Sequence, residues 1–418
     1  MKILLLAPYP PFPPRSGGAL RVFHLARGLA MHHDLTLLTF APNQAAAAAL
    51  APLRERYSVV TVHGPPPRSM LRRAVTTLAA PLPDMALRNR SQPYAEALSR
   101  LLAAEHYDVV QAESIEMAHY ALMARDLTQR IVLDQFNAEY LLQRRAALAD
   151  LKGGLALPPA RLVAGIYSLV QWRKLSRYER RLLRAFDHIL VVSEQDRAAL
   201  QRLVPAAASK LAVVPNGVDT ARIRPGAVRG DLGASTMVFV GALDYRPNLD
   251  ALRWFTTEVL PLLRQKRRGV RLLVVGRAPG RVVQTLASDE VELVGEVPSV
   301  APYIDGAAVF VVPMRIGGGS RLKLLEALAM EAPVVATSMA VEGIAGLRNG
   351  KHLLIADRPQ AFAEAVIRLM HDPELGRTLG AAGRDHVINH YDWDASIASL
   401  NQLYQQVSEP VANERKRR

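Results

Sequence analysis

The chain has 418 residues and no cysteine. That excludes disulfides, thiolate metal sites and a cysteine nucleophile, and it fits a reducing cytoplasm. No uninterrupted apolar stretch reaches the ~20 residues of a membrane span; the run over 155–170 is broken by Pro158, Pro159 and Arg161. The start, MKILLLAPYPPFPP, is not expected to be a signal peptide, because its apolar run is short and ends in prolines. No nucleic-acid motif or aromatic–basic interleaving is present, so nucleic acid is not an expected partner. No histidine or carboxylate cluster makes a metal site, so no metal is expected. No repeat of fixed period is present.

Acidic residues are scarce in one half. Residues 1–215 carry 27 Lys/Arg against 16 Asp/Glu, whereas 216–418 carry 25 against 22, the last residues being Arg415-Lys416-Arg417-Arg418. The basic N-terminal half has two readings: solubility alone, or a surface facing anionic lipid or a phosphorylated acceptor.

What is present is a strand–loop–helix alternation, the pattern of parallel sheets with helices on both faces. Apolar runs predict strands over 2–7, 35–40, 58–62, 108–112, 130–134, 188–192 and 211–214. A second series follows over 237–240, 271–275, 291–294, 308–312, 333–336 and 352–355. Helical periodicity predicts helices over 19–30, 248–264, 359–370 and 392–406. Residues 65–93, rich in proline and arginine, read as irregular in part. The fold class is therefore α/β, with two Rossmann-like doubly wound domains facing a central cleft. The domains are 1–215, completed by a C-terminal helix over 392–408, then 216–391, then a basic tail over 409–418. In such sheets ligands bind beyond the carboxyl ends of the strands.

The richest segment is 307–337, AAVFVVPMRIGGGSRLKLLEALAMEAPVVAT. A strand runs into Gly317, Gly318 and Gly319, and a helix follows with Ser320 as its expected N-cap. Glycines let backbone approach a ligand. A helix N-terminus attracts phosphate, and Arg321 and Lys323 add charge there. Lys323 and Glu326, three residues apart, share a helix face. Cations for a diphosphate beside a carboxylate for sugar hydroxyls point to a nucleotide-sugar.

Other motifs carry less. Gly17 and Gly18 stand before the first helix and read either as a plain turn or as a phosphate-facing glycine pair. They fit neither GxGxxG nor GxxxxGK[ST], which disfavours dinucleotide binding and a P-loop. DQFNAE (134–139) lies at a strand end, where its polar side chains read as helix caps, through Asn137 or Asp134, or as functional groups, with Asn137 the catalytic candidate. Gln111 and Glu113 end the preceding strand. His119 reads as structural. VPNGVD (214–219) reads as an interdomain turn. Arg173, Arg177, Arg180 and Arg184 recur at helical spacing, as a solvated face or as an interfacial basic helix. Asp392-Trp393-Asp394 spells D-x-D but sits at a helix entrance, where aspartates cap.

Together these segments resemble the GT-B glycosyltransferases of family 4, the group 1 retaining class. The carriers are the early glycine pair, SEQDRAAL (193–200), VVPNGVD (213–219), VFVGALDYRPNLDAL (238–252), LLVVGRAP (272–279) and GGGSRLKLLEALAMEAPVVAT (317–337). GALDYRPN with IGGGSRLK resembles the branch of exopolysaccharide sugar transferases, some of them exosortase-associated. The resemblance implies transfer with retention from a nucleoside-diphosphate-sugar to a saccharide or polyprenyl-linked acceptor, without a metal or other cofactor. It implies a cytoplasmic protein, peripheral on the inner face of the plasma membrane. Arg321 and Lys323 would bind the diphosphate and Glu326 the ribose, as second Glu of an E-x7-E motif whose first position holds Gly318. The cations of a GRL-x3-KG motif are replaced by Ala242 and Pro247, with Arg246 the nearest substitute. The expected site is thus Glu113, Asn137, Arg246 and Lys323 for catalysis, and Gly17, Gly18, Gly318, Gly319, Ser320, Arg321 and Glu326 for substrate. Two other readings stand beside it: a nucleotide-sugar epimerase or hydrolase of the same fold, and a non-catalytic membrane-associated or carbohydrate-binding scaffold.

Overall fold

A computed structural model describes residues 1–14, 16–64, 68–151, 159–226, 232–278, 280 and 284–408. Arg15 and the expected basic tail over 409–418 lie outside them. The chain forms two compact units. One is Met1–Pro215 with the C-terminal stretch from Asp394, and the other is Asn216–Trp393.

The first unit is built on a seven-stranded sheet. Its strands are β1 (Lys2–Ala7), β2 (Asp34–Ala41), β3 (Ser58–His63), β4 (Val109–Glu113), β5 (Arg130–Gln135), β6 (His188–Val191) and β7 (Leu211–Val213). Their order is β3-β2-β1-β4-β5-β6-β7, and every pairing is parallel. The continuous apolar run KILLLA explains why β1 lies at the centre: Ile3 to Ala7 have no exposed surface, as a parallel strand covered on both faces requires. Helix α1 (Gly17–Leu29) follows β1. Helices α2 (Glu139–Leu151) and α3 (Pro159–Ala185) follow β5.

The second unit carries a six-stranded parallel sheet, ordered β10-β9-β8-β11-β12-β13. The strands are β8 (Thr236–Val240), β9 (Arg271–Val275), β10 (Val291–Gly295), β11 (Val309–Val312), β12 (Val334–Ala336) and β13 (Leu354–Ile355). Two helices matter for the site: α4 (Arg246–Trp254) after β8 and α5 (Leu322–Ala329) after β11. The last helix, α6 (Trp393–Ser408), packs on the first unit. There Tyr404 is fully buried and its hydroxyl donates to Gln111, while Ile397 fills the space that Gly28 leaves open.

In each sheet the strand order reverses at a switch point, between β1 and β4 and between β8 and β11. Loops diverge there and leave a crevice at the carboxyl edge.

Three local expectations change. The helix over 248–264 is broken into α4, a π-helical turn over Phe255–Val259 and a helix over Leu260–Lys266. Pro261 has no N–H to donate to an i−4 carbonyl, so the ladder widens there. Of the stretch 65–93, residues 65–67 lie outside the described residues, and residues 68–93 are more helical than expected, with helices over Met70–Ala79 and Asp84–Arg88. The strand over 352–355 shortens to Leu354–Ile355, because His352 turns its Nδ1 back to accept from Arg348 N at 3.1 Å.

Candidate functional site

In the second unit, β8 ends in the Gly241–Ala242 turn. Lys323, in the first turn of α5, reaches over this turn, and its ammonium donates to Asn248 Oδ1 at 2.7 Å. Asn248 is buried on α4, and its Nδ2 donates to the Ala242 carbonyl at 2.8 Å. The ammonium also lies 4.6 Å from the centroid of the Phe239 ring, a cation–π contact. A Cβ at Gly241 would stand 2.7 Å from Lys323 Nζ and 2.8 Å from Asn248 Nδ2, so only glycine leaves room for this arrangement.

Burial lowers the Lys323 ammonium to a pKa of about 7; the Arg321 charge pushes the same way and Glu326 opposes. Glu326, one turn along α5, is raised to about 7 by burial, with Lys323 opposing. Both groups therefore titrate near neutrality. An arriving anion would draw a proton onto Lys323.

Arg321 behaves differently from the expectation. It folds under the glycine turn, donating from Nη1 to the carbonyls of Gly318 and Gly319 (2.6 Å for the latter) and from Nη2 to Met339 O at 3.2 Å. The residue is only 8% exposed. A Cβ at Gly317 would lie 2.1 Å from Nη2. The guanidinium thus holds the turn from inside rather than facing out as a cation.

Ser320 is also corrected. The N-cap of α5 is Arg321, without a side-chain cap bond. The Ser320 hydroxyl is buried without a hydrogen-bond partner. It sits beside the first N–H groups of α5, which no turn of helix precedes. Gly319 adopts φ +64, a left-handed conformation that glycine takes at low cost. Arg246 opens α4, in the same turn as Asn248. Arg277 and Arg315 are paired with Asp244 (2.5 Å) and Asp250 (2.7 Å).

In the first unit the carboxyl edge is laid out otherwise than expected. Gly17 and Gly18 open α1 with Ser16 as N-cap, its Oγ accepting from Ala19 N at 3.3 Å. The Tyr9 hydroxyl already occupies the space a side chain at Gly18 would need. Glu113, expected as a catalytic group, has no exposed surface. Its Oε1 accepts from Gln111 Nε2 at 2.6 Å, and burial, then the Asp134 charge, hold its carboxyl well above the usual range. Asp134 is in turn clamped by Arg21 through two 2.7 Å bonds. Glu113 is part of this interior network instead of the open edge.

Asn137 is half-buried beyond β5, and its Nδ2 donates to Glu139 Oε1 at 3.0 Å. Burial raises Glu139 to about 7, with Asn137 opposing and Glu116 and Asp196 adding to the rise. Glu139 closes the DQFNAE stretch singled out in the sequence but was not among the expected site residues; its place two residues past Asn137 was the signal. Glu179 of α3 caps α2, accepting from Glu139 N at 2.9 Å and Tyr140 N at 2.8 Å. His119 stacks on Tyr120 and is lowered to about 4, mainly by burial, so it is neutral at pH 7.

The D-x-D stretch has a structural occupation: Asp392 accepts from Thr220 N at 3.3 Å and from its hydroxyl. Val218 N in VPNGVD donates to Tyr391 O at 2.8 Å, where the chain enters and leaves the second unit. Among the described residues, no group of three or more histidines and carboxylates could hold a metal ion. Nor, among them, is any helix long and apolar enough to cross a membrane.

Known proteins align with this layout. Residues 15–222 match Glycosyltransferase Family 4 and residues 234–372 match Glycosyl transferases group 1. A GDP-mannose-dependent alpha-(1-6)-phosphatidylinositol monomannoside mannosyltransferase of Mycobacterium tuberculosis is 30% identical over 53% of this chain and 62% of its own length. An uncharacterized 44.6 kDa protein in the cps region of Klebsiella pneumoniae is 30% identical over 33% of this chain and 37% of its own. The chain thus spans between about a third and three-fifths of these curated relatives. Among solved structures, sucrose-phosphate synthase from Thermosynechococcus elongatus superposes with a TM-score of 0.70 at 20% identity, covering 97% of this chain and 99% of that one. Anabaena HepE, solved with UDP and glucose, gives 0.69 at 14% identity, covering 97% and 100%. The shared fold is GT-B.

Proposed function

Because the chain belongs to the family 4, group 1 glycosyltransferases, we propose that it moves a sugar from a nucleoside-diphosphate-sugar to a saccharide or polyprenyl-linked acceptor. The transfer retains anomeric configuration and serves exopolysaccharide or cell-surface glycan synthesis. It needs no metal, because the chain supplies its own cation.

The observation that carries this reading is Lys323, held by Asn248 over the Gly241 turn, one helical turn from Glu326. Charge develops on the leaving diphosphate, and preorganised donors aimed at it lower the barrier. Lys323, Arg246 and the first N–H groups of α5, with Ser320 Oγ and the backbone of Gly318 and Gly319, fill that role. Glu326 accepts from the ribose hydroxyls. Arg321 contributes by fixing the turn. Asn137 and Glu139, both half-buried beyond β5, would face the acceptor, and Glu113 is excluded by its burial.

The mannosyltransferase relative is named for a GDP-mannose donor and HepE was solved with UDP and glucose, which supports a nucleotide-sugar and leaves its base to measurement. A thermal-shift panel of UDP-, GDP-, ADP- and dTDP-sugars identifies it, since a ligand of the native state raises apparent stability by mass action. One donor is expected to stand out with wild-type protein and to lose its effect with Glu326→Ala. No shift with any donor would overturn the reading. Donor turnover without acceptor, as fast as with it, would favour a hydrolase or epimerase.

A further inference from the structure

The helical hairpin of the first unit carries a face that the described residues leave uncovered. Leu148 on α2 is 59% exposed, and Leu162, Val163 and Ile166 on α3 are 42%, 66% and 52% exposed. Two contacts fix how these helices pair. Leu151 lies against Gly165, and the Arg144 guanidinium lies 5.9 Å from the Trp172 ring. Both belong to one antiparallel register, so Leu148 stands opposite the turn of Ile166.

Successive residues of a helix are turned by about 100°. Counted from the seam at Gly165, Leu162 and Ile166 fall on one side of α3, and in an antiparallel pair Leu148 falls on that same side. Arg173, Arg177, Arg180 and Arg184 continue along this side, and all four are exposed. The opposite side of α3 is engaged by the unit itself. Leu175 and Leu182 are core residues, and Lys174 donates to Thr77 O at 2.6 Å. One face of the hairpin therefore reads apolar at its tip and basic for about 16 Å beyond it.

We propose that this face docks the protein on an anionic lipid bilayer, with the leucine and isoleucine side chains in the acyl boundary and the four arginines on lipid phosphates. The order of the two parts supports a bilayer as the occupant. An apolar tip followed by a basic row matches the layering of acyl chain and headgroup. A second copy of this chain would set the arginine row against the same net-positive half, which carries 27 Lys/Arg against 16 Asp/Glu. The proposal does not depend on the donor assignment, and lipid binding and sugar transfer are read by separate assays.

The test is flotation of the full chain with phosphatidylcholine vesicles, with and without phosphatidylglycerol, at low and high salt. Binding is expected only with the anionic lipid and is expected to weaken with salt. Each arginine at such a surface contributes about fivefold in partitioning. The quadruple variant Arg173→Gln, Arg177→Gln, Arg180→Gln and Arg184→Gln should lose the preference for anionic lipid. The triple variant Leu148→Ser, Leu162→Ser and Ile166→Ser should partition at least about tenfold less. These residues are exposed, so circular dichroism melting should stay close to wild type. Wild-type protein that ignores anionic vesicles, or variants that bind as wild type, would overturn the proposal. So would a dimer, seen by sedimentation equilibrium, that the triple variant abolishes without any lipid binding.

Discussion

Lys323 Nζ stands 2.7 Å from Asn248 Oδ1, and that amide is itself anchored 2.8 Å from the Ala242 carbonyl. Through these two bonds a lysine of α5 becomes part of the turn after β8. A GRL-x3-KG pattern would place cations at Ala242 on that turn and at Pro247 in the first turn of α4, and this chain has neither. The ammonium reaches the same turn from the other side of the switch point.

Donor binding should therefore take up a proton. Free Lys323 titrates at about 7, and a bound diphosphate favours the charged form. At pH 7 the uptake is roughly half a proton per site. Affinity should fall as pH rises above about 7, by at most tenfold per unit. Calorimetry with a nucleotide-sugar in buffers of different ionisation enthalpy measures this directly. Glu326 titrates in the same window, so the slope should be compared in Glu326→Gln. Lys323→Gln should remove the uptake, and Asn248→Ala should shift its midpoint while leaving the fold intact. Binding independent of pH between 6 and 9 in the wild type would remove Lys323 from the diphosphate site.

Glu326→Ala should cost donor affinity about ten- to a hundredfold, because a hydrogen bond to a charged group is worth about 1.5–3 kcal/mol. Its melting temperature should not fall. Glu326 is only partly buried, and its raised pKa shows that burial already disfavours its charge. A variant that loses thermal stability and affinity together would instead mark Glu326 as a structural residue.

Arg321 should separate turn structure from charge. Its guanidinium satisfies carbonyls of the glycine turn and of Met339. Leaving such buried acceptors unpaired costs about 1–3 kcal/mol each. Arg321→Lys keeps the charge but cannot fork, so it should melt lower and bind donor poorly, much like Arg321→Ala. Gly317→Ala, which pushes a methyl into Nη2, should reproduce the defect without touching any charge. If Arg321→Lys binds donor normally, charge and not geometry is its contribution.

The architecture was legible because the strands are short, largely apolar runs, and a parallel sheet buried on both faces demands that pattern. Thirteen such runs correspond to the thirteen strands described. Lys323 and Glu326 on one helix face followed from spacing alone. The failures concern direction. Sequence gives the type of Arg321 but not whether its long side chain turns in or out; the small neighbours Gly317 to Gly319 were the available clue. Glu113 ends a strand, as a ligand group would, yet its partner Gln111 is capped by the Tyr404 hydroxyl of α6, nearly three hundred residues away. No local pattern could announce that contact.

The interior of the first unit offers the last prediction. Arg21 on α1 and Asp134 at the end of β5 form a two-pronged salt bridge with 1% and 0% side-chain exposure. Arg21 Nη1 also donates to Val214 O at 2.9 Å. Removing one partner of a buried pair leaves an uncompensated charge and costs about 3–5 kcal/mol. Asp134→Asn should therefore lower the melting temperature sharply. The double change Arg21→Met with Asp134→Leu should recover part of that loss, because an apolar pair of similar volume carries no desolvation penalty. Glu113 lies beside this pair, its carboxyl pushed up partly by the Asp134 charge. In Asp134→Leu that push disappears, and Glu113→Gln should then be nearly neutral for stability. A catalytic Glu113 predicts otherwise: Glu113→Gln alone would abolish transfer while melting as wild type.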